Sequence, residues 1–213
     1  MGGVFETMLI SDGRVRLFDR HLGRLAASGV AEPVIEQVRE LVARQVTAAD
    51  DPVVVRIDVT AAGVTARSRE PRPPTPLSGV LVEGYDPGDD TRTRKRIDRV
   101  WAEAAETTAG GEALLVSPHG LVGETTRANV FAILGDVVVT PGAGGILPGV
   151  TRSWAIEQLG AIERALTLEE LRHADGAFLT TAGRGIVALA DVGGVGIPVH
   201  PLVEQLAEAW RVL

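Results

Sequence analysis

The 213-residue sequence has no cysteine. That excludes a disulfide framework, a thiolate metal site and a cysteine nucleophile. Its four histidines, His21, His119, His173 and His200, show no ligand spacing, so no metal site is expected. No apolar run approaches the roughly 20 residues of a membrane-spanning helix. The opening MGGVFETMLISDG lacks the charged-then-apolar pattern of a secretory signal. These absences predict a cytoplasmic protein without membrane contact. Positive charge is outnumbered, with 21 Lys and Arg against 28 Asp and Glu and a net charge of −7. A general nucleic-acid binder would carry a basic footprint instead. GxGxxG and Walker phosphate loops are missing, as is any internal repeat. Lysine is scarce too: Lys95 is the only one, and arginine supplies every other basic side chain in that count.

What is present is a 45% apolar chain, long enough for one large domain or two small ones. Residues 3–11 alternate as a strand, Asp12-Gly13 is a hairpin signal, and residues 14–18 return. Asp19 can cap a helix that Gly29 ends, and residues 32–47 form an amphipathic helix. Residues 53–59 read as a strand that 62–67 can pair with. Four prolines mark 68–76 as a loop, and 80–83 is a short strand. Residues 85–94 are polar, acidic then basic, and read as a linker. Beyond it the pattern predicts a helix over 97–108 and strands over 112–117 and 121–122. A hairpin over 130–134 and 137–140, a helix over 150–159 and a strand over 162–166 come next. Residues 168–173 are a short helix, 176–181 and 186–192 strands, and 201–212 a closing helix. Strands mostly return by hairpins, so the fold class is α+β rather than a doubly wound sheet. The division is a smaller N-terminal α+β domain over 1–90 and a larger C-terminal one over 91–213.

A nucleophile that attacks an aldehyde must be a primary amine able to lose its proton, which arginine cannot supply. Lys95 is flanked by Arg92, Arg94, Arg96 and Arg99 and lies just ahead of a predicted helix. Neighbouring positive charge and the helix dipole both favour its neutral form. The same RTRKR run also fits a solvated basic turn. Glu124 follows Gly123 at a strand end. A carboxylate beside a pyridine nitrogen keeps that nitrogen protonated and makes the ring an electron sink; by itself Glu124 reads first as an exposed glutamate in a turn. Residues 147–152, LPGVTR, read as a loop entering a helix, where backbone N–H groups and the Thr151 hydroxyl suit a phosphate. An ordinary helix start looks the same. Arg24, in HLGRL, is either a phosphate countercharge or a surface arginine.

Together these segments resemble the class IV aminotransferases, the fold-type-IV pyridoxal-phosphate enzymes. The matching pieces occur in family order: VFETMLISDGRV at 4–15, HLGRL at 21–25, KRIDR at 95–99, GLVGETTRANVF at 120–131 and VVVTPGAGGILPGVTR at 137–152. The resemblance implies a two-domain α+β fold similar to D-amino-acid aminotransferase, pyridoxal 5'-phosphate as cofactor, and a homodimer. It implies that Lys95, in the C-terminal domain, is the Schiff-base lysine and that Glu124 contacts the pyridine nitrogen. Arg24, Val150 and Thr151 would hold the phosphate, and Thr180 or Thr181 would serve the phosphate or substrate side. Phe5, Arg92, Arg94 and Arg127 are candidates for contact with a small amino substrate.

Lys95-Arg96-Ile97-Asp98-Arg99 is closer to the K-x-x-[ND]-R pattern of 4-amino-4-deoxychorismate lyases than to the branched-chain enzymes. This implies a lyase forming 4-aminobenzoate and pyruvate, a step of folate biosynthesis. An aminotransferase acting on branched-chain or D-amino acids is the alternative, and a catalytically degenerate cofactor-binding homologue a further one. The chain begins almost at the first matching block, so an N-terminal domain truncated by an edge strand is expected. Leu9 stands where the lyases and branched-chain enzymes typically carry arginine.

Overall fold

The computed structural model describes residues 2–48 and 52–213. The backbone gathers into two compact units. The first comprises Met1–Pro73, Arg94–Asp98 and Ala182–Arg184; the second comprises Pro74–Thr93, Arg99–Thr181 and Gly185–Leu213.

The first unit contains β1 (Val4–Ser11), β2 (Arg14–Val15), α1 (Phe18–Ala27), α2 (Glu32–Ala48), β3 (Val53–Thr60) and β4 (Gly63–Arg69). Its strands form an antiparallel sheet in the order β2-β1-β3-β4. Asp12 and Gly13 both adopt positive φ, which matches the strand twist in a two-residue hairpin. Val4, Met8 and Ile10 of β1 pack with Leu22 and Leu25 of α1 and with Ile35, Val38 and Val42 of α2. Strand period two puts Glu6 on that same apolar face.

The start of β1 has a second partner. Phe5 N–H donates to the Lys95 carbonyl at 2.8 Å, Ile97 N–H donates to the Gly3 carbonyl at 2.9 Å, and Val4 stands opposite Arg96. Lys95 is therefore extended along the edge of β1. The helix expected from residue 97 begins at Val100 instead, because residues 95–97 are tied to the start of β1 through an isolated bridge.

The second unit contains β5 (Leu77–Glu83), α3 (Val100–Ala109), β6 (Ala113–Val116), β7 (Val122–Thr125), β8 (Asn129–Leu134) and β9 (Val137–Thr140). It continues with α4 (Val150–Leu159), β10 (Ile162–Glu163), α5 (Leu168–Arg172), β11 (Gly176–Thr181), β12 (Gly185–Val192), β13 (Val195–Gly196) and α6 (Pro201–Arg211). Strands β8-β11-β12-β5-β6-β7 are joined in that order, and β7 pairs back to β8, closing a barrel. The α+β expectation is met by an antiparallel sheet with helices in the first unit and a mixed barrel with helices in the second. Val130 and Ala132 of β8 and Ala177 and Leu179 of β11 join Leu114, Val122, Val187 and Leu189 in one core cluster. The alternate positions turn outward: Phe131 stacks on its cross-strand partner Phe178, with ring centroids 4.7 Å apart. The capping box that starts α5, Thr167 with Glu170, is formed as its TLEE sequence suggests.

Residues 85–94 are not a slack linker. Tyr85 is buried, packs with Leu115 and Ile146, and donates its hydroxyl to the Gly144 carbonyl at 3.1 Å. Asp86 and Pro87 backbone atoms lie so close to Gly145, which has φ +70°, that a Cβ there has no room. Among the described residues no helix is long and apolar enough to cross a membrane. Nor do the described residues form a cluster of side chains that could hold a metal ion.

Candidate active site

Two groups of functional side chains emerge, one in each unit. In the first unit, Lys95 Nζ lies 5.0 Å from the centroid of the buried Phe5 ring. Arg56 Cζ lies 3.7 Å from the same centroid. Arg56 is held by Asp58 at 2.7 Å, and Asp58 also takes Arg67 at 2.7 Å. On the helix-facing side of β1, Arg24 makes a two-pronged contact with Glu6: Nε to Oε1 and Nη2 to Oε2, each at 2.7 Å. His21 Nδ1 meets Glu6 Oε2 at 2.8 Å. Arg24 is thus a buried, paired residue rather than a surface arginine.

Burial alone would push the Glu6 carboxyl up. The Arg24 guanidinium, the His21 hydrogen bond and the Lys95 ammonium overcome that and hold it well below the usual carboxylate range. Burial pushes His21 down against the pull of Glu6, which favours a neutral ring donating from Nδ1.

In the second unit, Glu124 stands at the seam of the barrel. The three residues Leu114 to Val116 of β6 stand opposite the four residues Val122 to Thr125 of β7, so β7 carries one extra residue. That bulge reverses the alternation: Val122 faces the core and Glu124 leaves it. Gly123 is the residue the bulge can accommodate, since a Cβ there would fall 2.5 Å from Tyr85 Cδ2. Glu124 then pairs with Asn129 across β7 and β8, and Asn129 pairs with Thr180 across β8 and β11. Cross-strand partners share a face, so Glu124, Asn129 and Thr180 form one row.

Asn129 is the residue that sequence reasoning missed. Its Nδ2 donates to Glu124 Oε2 at 3.1 Å and to the Leu147 carbonyl at 2.9 Å, while Leu147 N–H donates to Glu124 Oε2 at 3.1 Å. Its Oδ1 leaves no room for a Cβ on Gly149. One amide thereby fixes the carboxylate and the loop that enters α4. Arg152 ties down the same helix start, donating to the Pro141 carbonyl at 2.7 Å and to Glu163 at 2.6 Å. Its place inside LPGVTR was the only signal for it.

Burial pushes the Glu124 carboxyl up to about 7, with Leu147 N–H and the charges of Arg92, Arg99 and Arg152 resisting. A buried acid so poised suits a cationic or N–H partner. Helix α4 begins at Gly149 with no side-chain cap, leaving its first-turn N–H groups to an anion. Val150 and Thr151 are buried in that first turn. Among the described residues, Thr151 Oγ1 and Thr180 Oγ1 are buried hydroxyls without a hydrogen-bond partner. Leaving such a group unpaired costs about 1–3 kcal/mol each. Two of them on α4 and β11, which pack on each other, mark a surface built for an oxygen-rich ligand.

The remaining candidates separate. Thr181 ends β11, half-buried. Arg92 is largely buried, with Cζ 4.3 Å from the Trp101 ring centroid and Nε 3.3 Å from Asp89 Oδ2 outside hydrogen-bond geometry. Arg94 is exposed. Arg127 grips Glu106 with Nε at 2.8 Å and Nη2 at 2.7 Å, fastening the β7–β8 turn to α3. Arg99 donates to the Thr126 carbonyl. Arg92 and Arg99 therefore have partners of their own in the second unit, and the charges that act on Glu6 and His21 beside Lys95 belong to the first.

The description "Amino-transferase class IV" matches residues 3–192. A branched-chain-amino-acid aminotransferase of Pseudomonas aeruginosa is 32% identical over 116 residues, covering 49% of this chain and 38% of that protein. Branched-chain-amino-acid aminotransferase-like protein 2 of Arabidopsis thaliana is 25% identical over 252 aligned positions, covering 99% of this chain and 45% of that protein. The chain spans less than half the length of these curated relatives. In fold it is similar to a candidate 4-amino-4-deoxychorismate lyase from Legionella pneumophila, with TM-score 0.84 and 21% identity over 99% of this chain and 91% of that one. It is also similar to a hypothetical aminotransferase from Mycobacterium tuberculosis in its α-ketoglutarate- and PMP-bound form, with TM-score 0.87 and 24% identity over 99% of this chain and 88% of that one.

Proposed function

The chain belongs to the amino-transferase class IV family, and from that premise we propose that it is a pyridoxal-phosphate-dependent enzyme acting at the amine-bearing carbon of a small amino substrate. The observation that carries this reading is the Asn129-anchored Glu124 beside an uncapped helix start with two unpaired buried hydroxyls. Those groups fit the cofactor. Glu124 offers a buried acceptor to its ring nitrogen, and the first turn of α4, Thr151 and Thr180 offer donors to its phosphate.

Lys95 would hold the cofactor by its aldehyde carbon, since it is the one side-chain primary amine in the sequence. In the second unit the Val150 N–H would add to the phosphate contacts; in the first unit Arg24 is the candidate countercharge for a phosphate. When bound, the cofactor supplies a protonated pyridine ring that draws electrons from the amine-bearing carbon. Glu124 would keep the proton on the ring nitrogen, and a buried carboxyl near 7 would ionise readily with that cation beside it. Lys95 Nζ removes the proton from the amine-bearing carbon of the substrate. Phe5 and Thr181 serve the substrate side.

The finer reading is a 4-amino-4-deoxychorismate lyase, supported by Lys95-x-x-Asp98-Arg99. The second is an aminotransferase, favoured by the curated relatives named for branched-chain amino acids. Both use the same first proton transfer at Lys95. Product analysis separates them: 4-aminobenzoate with pyruvate identifies the lyase, and a keto acid formed from an amino-acid donor identifies the aminotransferase. Neither product from cofactor-loaded protein leaves the degenerate homologue.

A further inference from the structure

We propose that Glu6 and His21 are positioning residues, holding the Arg24 guanidinium for a phosphate and balancing its charge beside Lys95. The proposal rests on the pyridoxal-phosphate reading for the identity of the phosphate. Its geometry is the first unit's own.

Glu6 occupies a position where strand alternation calls for an apolar side chain. Its neighbours on that face, Val4, Met8 and Ile10, all enter the core. Placing a carboxylate there costs several kcal/mol unless it is paired and hydrogen-bonded. The fold gains nothing from it that a leucine would not supply. The charge is therefore kept for what it does to its partners.

Those partners are arranged with care. His21 and Arg24 are three residues apart on α1 and so share a helix face. Arg24 uses the Nε–Nη2 edge of its fork, which fixes the plane of the guanidinium. His21 takes the remaining side of Glu6 Oε2. Glu6 and His21 are each 1% exposed and Arg24 is 9% exposed, so solvent screens little of their interaction.

A bare guanidinium buried near Lys95 would raise the cost of protonating the amine and leave its own orientation undetermined. With Glu6 ionised and His21 neutral, the buried Glu6–Arg24 pair carries no net charge. The other charges around the Phe5 ring, Arg56 with Asp58 and Arg67, form their own group. The Lys95 ammonium in turn helps to hold the Glu6 carboxylate ionised.

The single lysine makes this measurable without any cofactor. Reductive 13C-methylation of the purified apo chain labels only Lys95 and the N-terminal amine, and NMR titration reads the Lys95 midpoint. Glu6→Gln is expected to lower that midpoint by about one pH unit and to weaken binding of inorganic phosphate and pyridoxal phosphate about tenfold. The double variant Glu6→Gln/Arg24→Gln removes both charges. It should return the midpoint to the wild-type value and bind phosphate no more weakly than Arg24→Gln alone. This variant keeps the proposal open to refutation if Glu6→Gln does not fold. A merely structural tie between α1 and β1 would lower melting temperature and leave the Lys95 midpoint unmoved, and that result overturns the positioning role. Wild-type phosphate affinity in the double variant overturns it too. Failure of borohydride to trap pyridoxal phosphate on Lys95 of the wild type would instead overturn the proposed function, and the titration would still report the Glu6–Arg24–Lys95 coupling.

Discussion

Asn129 Nδ2 stands 3.1 Å from Glu124 Oε2 across the seam where β7 closes the barrel onto β8. The same nitrogen reaches the Leu147 carbonyl, so the buried Glu124 carboxylate and the loop that enters α4 are fixed by one amide. Asn129→Ala should strand both acceptors and lower unfolding free energy by about 1–3 kcal/mol. Urea denaturation checks this. A wild-type midpoint and slope would mean the amide fastens nothing.

Glu124 gives the apo protein a pH dependence of its own. Its folded pKa is raised from 4.5 to about 7, so the folded state holds a proton that the unfolded state has released. The group's contribution to stability is full below 4.5 and is lost as pH rises towards 7. The loss amounts to roughly 3 kcal/mol, at 1.36 kcal/mol per unit. Glu124→Gln removes this slope, so the variant should gain on the wild type between pH 5 and pH 8. Denaturation at both pH values is the check. An equal difference at the two would contradict a buried, raised carboxyl.

Thr151 and Thr180 offer a separation of stability from binding. Their buried hydroxyls have no partner among the described residues. Thr151→Val and Thr180→Val should leave apo stability unchanged or raise it by up to about 1 kcal/mol. The same variants should weaken pyridoxal-phosphate binding about tenfold each. Calorimetry of the apo protein and fluorescence titration with the cofactor measure the two effects. Destabilised variants with unaltered affinity would make these hydroxyls ordinary structural groups.

Which parts of this site were readable in advance follows from the range of the interactions. Lys95, Glu124, Val150 and Thr151 sit in local patterns that single them out as candidates from the sequence alone. Asn129 does not, because its role depends on the bulge at Gly123–Glu124 and on a seam closed by tertiary pairing. Glu6 is hidden for a related reason: inside an alternating strand it looks like one polar residue among several until α1 brings His21 and Arg24 to it. The polar run 85–94 suggested a linker, yet Tyr85 packs under Gly123 and Gly144 receives its hydroxyl. Residues 95–97 pair with the start of β1 about ninety residues earlier, and no local signal announces such a contact. The strand–turn–helix grammar was otherwise legible, down to the Asp12-Gly13 hairpin and the short helix after Thr167.

The most direct measurement is peptide mapping of the wild-type chain after pyridoxal phosphate and borohydride. Lys95 is the single lysine, so a Schiff-base role predicts one reduced adduct on the peptide that contains it. The adduct should be absent from Lys95→Arg. Cofactor bound without an adduct, or an adduct only on the N-terminal amine, would contradict the assignment of Lys95 and with it the proposed chemistry.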